Sequence, residues 1–174
     1  IDVIDGTTNS IIDSIDIERP WGISINHHTN TVYITSKKSL DLFVIDGYTN
    51  NVSKLKVNHP SNTYPLEIES FSQNMLLVSY TNVILLLDEL TLKQTVIPVG
   101  NNIVEIEVNE NFGIVYALDT FSNIVYVINL DTGDILESIP TGKHPIGIIS
   151  MPENNILYVV NEYSNSVTVF SPIT

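Results

Sequence analysis

The 174-residue chain contains no cysteine. That excludes disulfides, thiolate nucleophiles, cysteine-ligated zinc and cysteine-linked haem. Cations are scarce as well: 7 Lys and Arg stand against 20 Asp and Glu, a formal net charge of −13. Such a surface repels phosphate backbones, so nucleic acid is not an expected partner, whereas cations and cationic partners are attracted. Long apolar runs are missing. "VILLL" (83–87) is strand-sized, far short of the roughly 20 residues of a spanning helix, and membrane insertion is not expected. Catalytic signatures are absent too: there is no Gly-x-Ser-x-Gly, no phosphate-cradling glycine loop and no His-Glu-x-x-His. The chain begins at Ile1 rather than Met and shows no signal peptide. That reads as a processed or excised piece of something longer.

What is present is repetition. "VIDGTTN" (3–9) returns as "VIDGYTN" (44–50). With Asp5 as anchor, the equivalent positions are Asp46, Asp88, Asn129 and Ser171, a period of about 42 residues. Tyr33, Leu77, Tyr116 and Tyr158 form a second series. Pro20, Pro65 and Pro145, with Ile103 in the third unit, form another. Within a unit the apolar period is two: "NTVYIT" (30–35), "IVYVIN" (124–129) and "SVTVF" (166–170) are rich in β-branched and aromatic residues. Clusters such as "DGTTN", "NHHTN" and "LDTGD" separate them, as turns require. "LDELTLKQT" (87–95) reads as turn then strand rather than helix, from its place in the repeat. About four short strands in about 42 residues predict an all-β propeller of four-stranded antiparallel blades.

The units, as approximate boundaries in one repeat domain over 1–174, are 1–41, 42–82, 83–123, 124–165 and a partial 166–174. WD40 repeats share the period, but their Trp-Asp and Gly-His signatures are absent; kelch repeats are longer. "YVVNEYSNSVTVF" (158–170), "SNIVYVIN" (122–129) and "TGKHPIGIISMPENN" (141–155) instead resemble the YVTN family of β-propeller repeats, and "RPWGISI" (19–25) keeps the Pro and Gly of the last of these. The second unit departs most, in "NHPSNTYPLEIES". The resemblance covers essentially the whole chain. Its motifs are turn and packing residues, specific for the repeat and not for an activity. Relatives commonly carry about seven blades, so about four units imply an open arc cut from a larger ring. A closed four-bladed ring is the competing form, but the third strand at 166–170 would compete with 1–5 for one place.

An open arc exposes an apolar blade face at each end, predicting association with other protein chains or with copies of itself. One rim collects the connections from fourth to first and from second to third strands, and propellers generally bind ligands there. It carries Arg19, Trp21, His59, Tyr64, Lys143 and His144 as candidate contacts. Its further residues include Lys37, Lys38, Asp119, Phe121, Glu162 and Tyr163. Adjacent His27 and His28 lie on a turn where neighbours point apart, a poor arrangement for a metal.

A sharper feature is "LEIES" (66–70) beside "VEIEV" (104–108), both on innermost strands. Glu67 and Glu105 stand where other units have Gly22 and Gly147; Glu69 and Glu107 follow two residues later on the same face. Four carboxylates near one axis must face water, share protons or hold a cation such as Ca²⁺. No other cofactor is expected.

These features point to a non-catalytic binding or structural module of an exported or cell-surface protein, with the sequon Asn51-Val52-Ser53 as an available glycan site. The resemblance also implies an alternative, a lactonase- or lyase-like propeller enzyme with a metal at the channel.

Overall fold

The computed structural model describes residues 1–58, 63–151 and 153–171. Every regular element in it is a β-strand, and the strands form five antiparallel sheets taken in chain order. A two-stranded sheet comes first, β1 (Asp2–Asp5) and β2 (Ser10–Ser14). Three four-stranded sheets follow. They are β3 (Pro20–Asn26), β4 (Thr31–Ser36), β5 (Ser39–Asp46) and β6 (Val52–Leu55); then β7 (Ile68–Phe71), β8 (Met75–Ser79), β9 (Val83–Asp88) and β10 (Gln94–Pro98); then β11 (Ile103–Asn109), β12 (Ile114–Asp119), β13 (Ile124–Asn129) and β14 (Ile135–Pro140). A three-stranded sheet closes the chain, β15 (Pro145–Met151), β16 (Ile156–Asn161) and β17 (Ser166–Phe170). This is a partial β-propeller. Packing between sheets runs along their first strands, β3 to β7 to β11 to β15, and the ring is not closed.

The echoed phrase has a local cause. Asp5, Asn26, Asp46, Asp88, Asp119 and Asn129 each use Oδ1 to accept the N–H groups two and three residues on, at 2.7–3.3 Å. The residue four positions on is left-handed: Asn9 (φ 55°), Asn30 (52°), Asn50 (58°), Leu92 (57°), Asn123 (56°) and Gly133 (76°). The strand-ending Asp or Asn therefore caps the turn, and Asn or Gly supplies the backbone that reverses it. "DGTTN" and "DGYTN" are the two purest copies.

Alternation then decides burial. On β16 Leu157, Val159 and Asn161 turn toward the preceding sheet, while Tyr158 and Val160 face away. Each apolar cluster lies between sheets. Leu42, Leu76, Tyr80 and Leu85 join the second and third sheets; Leu77, Ile84, Ile103 and Ala117 join the third and fourth. Tyr116, Leu118, Leu157 and Val159 join the fourth and fifth, and Ile15, Ile17, Ile34 and Ile45 seat the first on the second. Each fully buried Leu or Ile contributes about 1.5–3 kcal/mol relative to exposure.

Glycine on an innermost strand makes room where another backbone approaches closely. That holds at Gly22, where a Cβ would come 2.7 Å from the Leu66 carbonyl oxygen and 3.1 Å from the Glu67 Cα. It does not hold at Gly147, whose nearest neighbour would be Glu105 Oε2 at 3.8 Å, ordinary contact. The last sheet has no further blade on its far side, so nothing presses on Gly147.

Candidate functional site

The four carboxylates occupy the first strands of the third and fourth sheets, or the residue just before, as their spacing requires. Glu105 Oε2 accepts the Ile148 N–H at 2.9 Å. Glu107 Oε1 accepts the Ser150 N–H at 3.0 Å and its hydroxyl at 2.7 Å. The Val108 N–H favours the ionised form of the Glu69 carboxyl. One sheet earlier, Ser24 Oγ accepts the Ser70 N–H at 2.8 Å. At two junctions, then, a side chain two residues past the Gly or Glu position accepts the amide three past it on the next blade, and Glu69 and Val108 hold the same places at the third. To water, a shared proton or a cation, the structure adds a fourth partner for these carboxylates, the neighbouring backbone. Ser24 and Ser150 escaped the sequence reading because serine is common in strands; only alignment of Ser24 with Glu69 and Glu107 could have marked it.

Burial raises Glu105 and Glu67 above the ordinary carboxylate value; the Ile148 N–H opposes this for Glu105 and the Lys37 ammonium for Glu67. Glu69 goes furthest. Burial, then the charges of Glu107, Glu110 and Glu105, push it up to about 8 against the opposing Val108 N–H. Its Oε2 is buried with no hydrogen-bond partner, the condition that favours a bound proton. Among the described residues no three His, Asp or Glu side chains converge closely enough to hold a metal ion.

On the rim the structure separates the candidates into two groups. His59 lies outside the described residues, and Tyr64 is exposed on the loop before β7. Lys143 and His144 stand at the junction of the fourth and fifth sheets. His144 is left-handed (φ 53°), its N–H donated to Asn123 Oδ1 at 2.7 Å. Its ring stacks on Tyr163 with centroids 4.1 Å apart and planes 11° from parallel, and Nδ1 lies 2.9 Å from Glu162 Oε2. An open cleft of about 380 Å³ beside this stack is lined by Thr120, Phe121, Asn123, Lys143, His144 and Tyr163.

Arg19 and Trp21 form the other group, at the start of β3. Pairing of β3 with β4 slips between Pro20 and Ile23, and matching slips occur at Ile103–Glu105 and Pro145–Gly147. Such a bulge re-aims the side chains within it; Trp21 is 54% exposed. The Lys37 N–H donates to the Arg19 carbonyl at 3.0 Å, tying the two rim loops together, and the Lys37 ammonium lies 2.8 Å from the centroid of the Trp21 ring.

Both ends of the arc carry uncovered apolar surface. On the last sheet Ile149 pairs with Tyr158 and Tyr158 with Val169; Met151 pairs with Ile156, and Val160 with Val167. Paired residues share a face, and Ile149, Met151, Val160, Val167 and Val169 on it are exposed. At the other end the first sheet has two strands only, leaving Ile23 and Ile25 of β3 exposed in a groove of about 320 Å³ with Ile1, Val3, Val32 and Ile45.

No protein-family model matches the sequence, and no curated protein matches it. Solved structures share the fold. A chain of hydrazine synthase from Kuenenia stuttgartiensis superposes with a TM-score of 0.77 at 16% identity, over 90% of this chain and 47% of that one. A chain of a mitotic checkpoint complex gives 0.71 at 13% identity, over 90% and 49%. Both are propeller-containing proteins. This chain spans about half the length of each.

Proposed function

We propose that the chain is a non-catalytic binding and structural repeat module, whose blade faces take up another protein chain or a second copy of itself. The observation that carries this is the last sheet: one face built from cross-strand pairs of Ile, Val, Tyr and Met, with Ile149 62% exposed. Its other face packs on the fourth sheet as every internal junction does. Contiguous apolar surface of this kind marks an interaction site, and a blade face is already the surface by which these sheets recognise one another. The occurrence of a similar fold within a mitotic checkpoint complex supports a protein partner as the class of ligand.

The reading extends to an exported or cell-surface setting. The support is Asn51, exposed on the β5–β6 turn in a sequon; expression in a secreting eukaryotic host, followed by glycosidase treatment, checks it. The module reading is tested by light scattering across a concentration series. A mass that rises with concentration and collapses to the monomer in Ile149→Glu supports it for self-association, and capture of a defined second chain lost in Ile149→Glu supports it for a foreign partner. A strictly monomeric chain whose binding ignores Ile149→Glu overturns it.

A further inference from the structure

The molecule is acidic overall but not evenly so. Topology sorts the connections into two rims, and of the 7 Lys and Arg, Arg19, Lys37, Lys38, Lys56 and Lys143 fall on the one bearing the fourth-to-first and second-to-third connections. The other rim presents Asp5, Asp46, Asp88, Glu89, Asp131 and Asp134 against Lys93. Within the first rim, Arg19, Lys37 and Lys38 come from two loops clamped by the Lys37 N–H to Arg19 carbonyl bond. Arg19 has left-handed backbone (φ 48°), and the bulge after it leaves Trp21 exposed beneath the Lys37 ammonium.

Carboxylates do not balance this group. Glu18 lies 3.8 Å from Lys38, and Glu67 contributes charge only toward Lys37. No hydrogen bond or ion pair engages the Arg19 guanidinium among the described residues. Burial and the Arg19 charge together lower the Lys37 pKa; the free protein holds two cations against each other. An anion between them relieves that repulsion and gains charge-assisted hydrogen bonds. The exposed indole beside them offers apolar surface for the methylene groups that accompany a side-chain carboxylate, and Trp and Arg are the residues enriched where proteins bind proteins.

We infer that the Arg19–Trp21–Lys37 cluster is a docking site for a short acidic segment of a partner protein, read through its side-chain carboxylates. The length limit follows from the net charge. Screening confines the cluster's attraction to about 8 Å at physiological ionic strength, so a long polyanion running off the cluster meets the acidic remainder and is repelled. The cluster adjoins the first end of the arc, on the strand that also exposes Ile23 and Ile25, but it is remote from the last-sheet face probed by Ile149→Glu, so either reading can fail alone.

The chain contains one tryptophan, Trp21, so its emission reports the site directly. A short oligoglutamate peptide titrated into the full chain at physiological salt gives a saturable change in that emission; oligolysine of equal length gives none. Arg19→Asn, chosen because Asn accepts the left-handed backbone, and Lys37→Gln each weaken binding roughly tenfold, the worth of one charge-assisted hydrogen bond. Lys37→Arg retains binding, and Lys93→Gln on the opposite rim leaves it unchanged. Absence of a saturable signal, equal weakening by Lys93→Gln, or tighter binding of inorganic polyphosphate or RNA than of oligoglutamate overturns the inference. Should Arg19→Asn fail to fold, the Lys37→Gln and Lys37→Arg pair decides it.

Discussion

At the scale of single residues, one side chain breaks the turn pattern. Five of the six Asx-capped turns place Asn or Gly at the left-handed position, whereas the sixth places Leu92 there at φ 57°, exposed. Left-handed backbone costs a residue with a branched side chain about 1–2 kcal/mol, and Asn bears it more easily. Leu92→Asn is expected to stabilise the protein by about 0.5–1 kcal/mol, read as a rise in Tm. Glu69 gives the second prediction. Its carboxyl titrates near 8 when folded and from an ordinary value of 4.5 when unfolded. The folded state therefore binds the proton more tightly. That contribution is fully present below pH 4.5, declines as pH rises, and is gone above about pH 8. Denaturation curves across this range are expected to show Glu69→Gln gaining on the native sequence as pH rises and levelling off above 8. A constant difference would show that Glu69 holds its proton equally in the folded and unfolded states.

At the scale of the element, the first strand of each full sheet is where neighbours press hardest. Gly22 and Gly147 hold equivalent places in the repeat, yet only Gly22 meets another blade's backbone. Gly22→Ala is expected to cost about 1–3 kcal/mol, since the clash is with main chain that cannot rotate away. Gly147→Ala is expected to fall within about 0.5 kcal/mol of neutral. Chemical denaturation of the two variants side by side checks this; equal losses would mean that glycine serves the strand rather than the junction.

At the scale of the whole molecule, stability is a chain of nearest-neighbour junctions, and the two end faces are junctions with one side. The association proposed through the last sheet rests on apolar surface, and is expected to strengthen in sulfate, which favours apolar burial. Val167→Glu, on the same face and 56% exposed, is expected to abolish it with Tm unchanged, by sedimentation and thermal melting together. A variant that melts early while still associating would place the contact elsewhere.

The sequence determined the local features. Period-two apolar runs made strands, and Asp or Asn followed four residues later by Asn or Gly made the turns. The 42-residue period made the sheets successive copies. These were legible because each depends on residues close in the chain: a carboxylate capping an amide two positions on, a side chain alternating across a pleat. Only tertiary structure decided where Glu69, Glu105 and Glu107 spend their lone pairs, which of two equivalent glycines is crowded, that His144 stacks on Tyr163, and that Lys37 stands over Trp21. Each of those contacts joins residues on different strands or different blades. Their distance is set by how far one sheet lies from the next, a quantity fixed by the sum of all the side chains packed between them and by no single stretch of sequence.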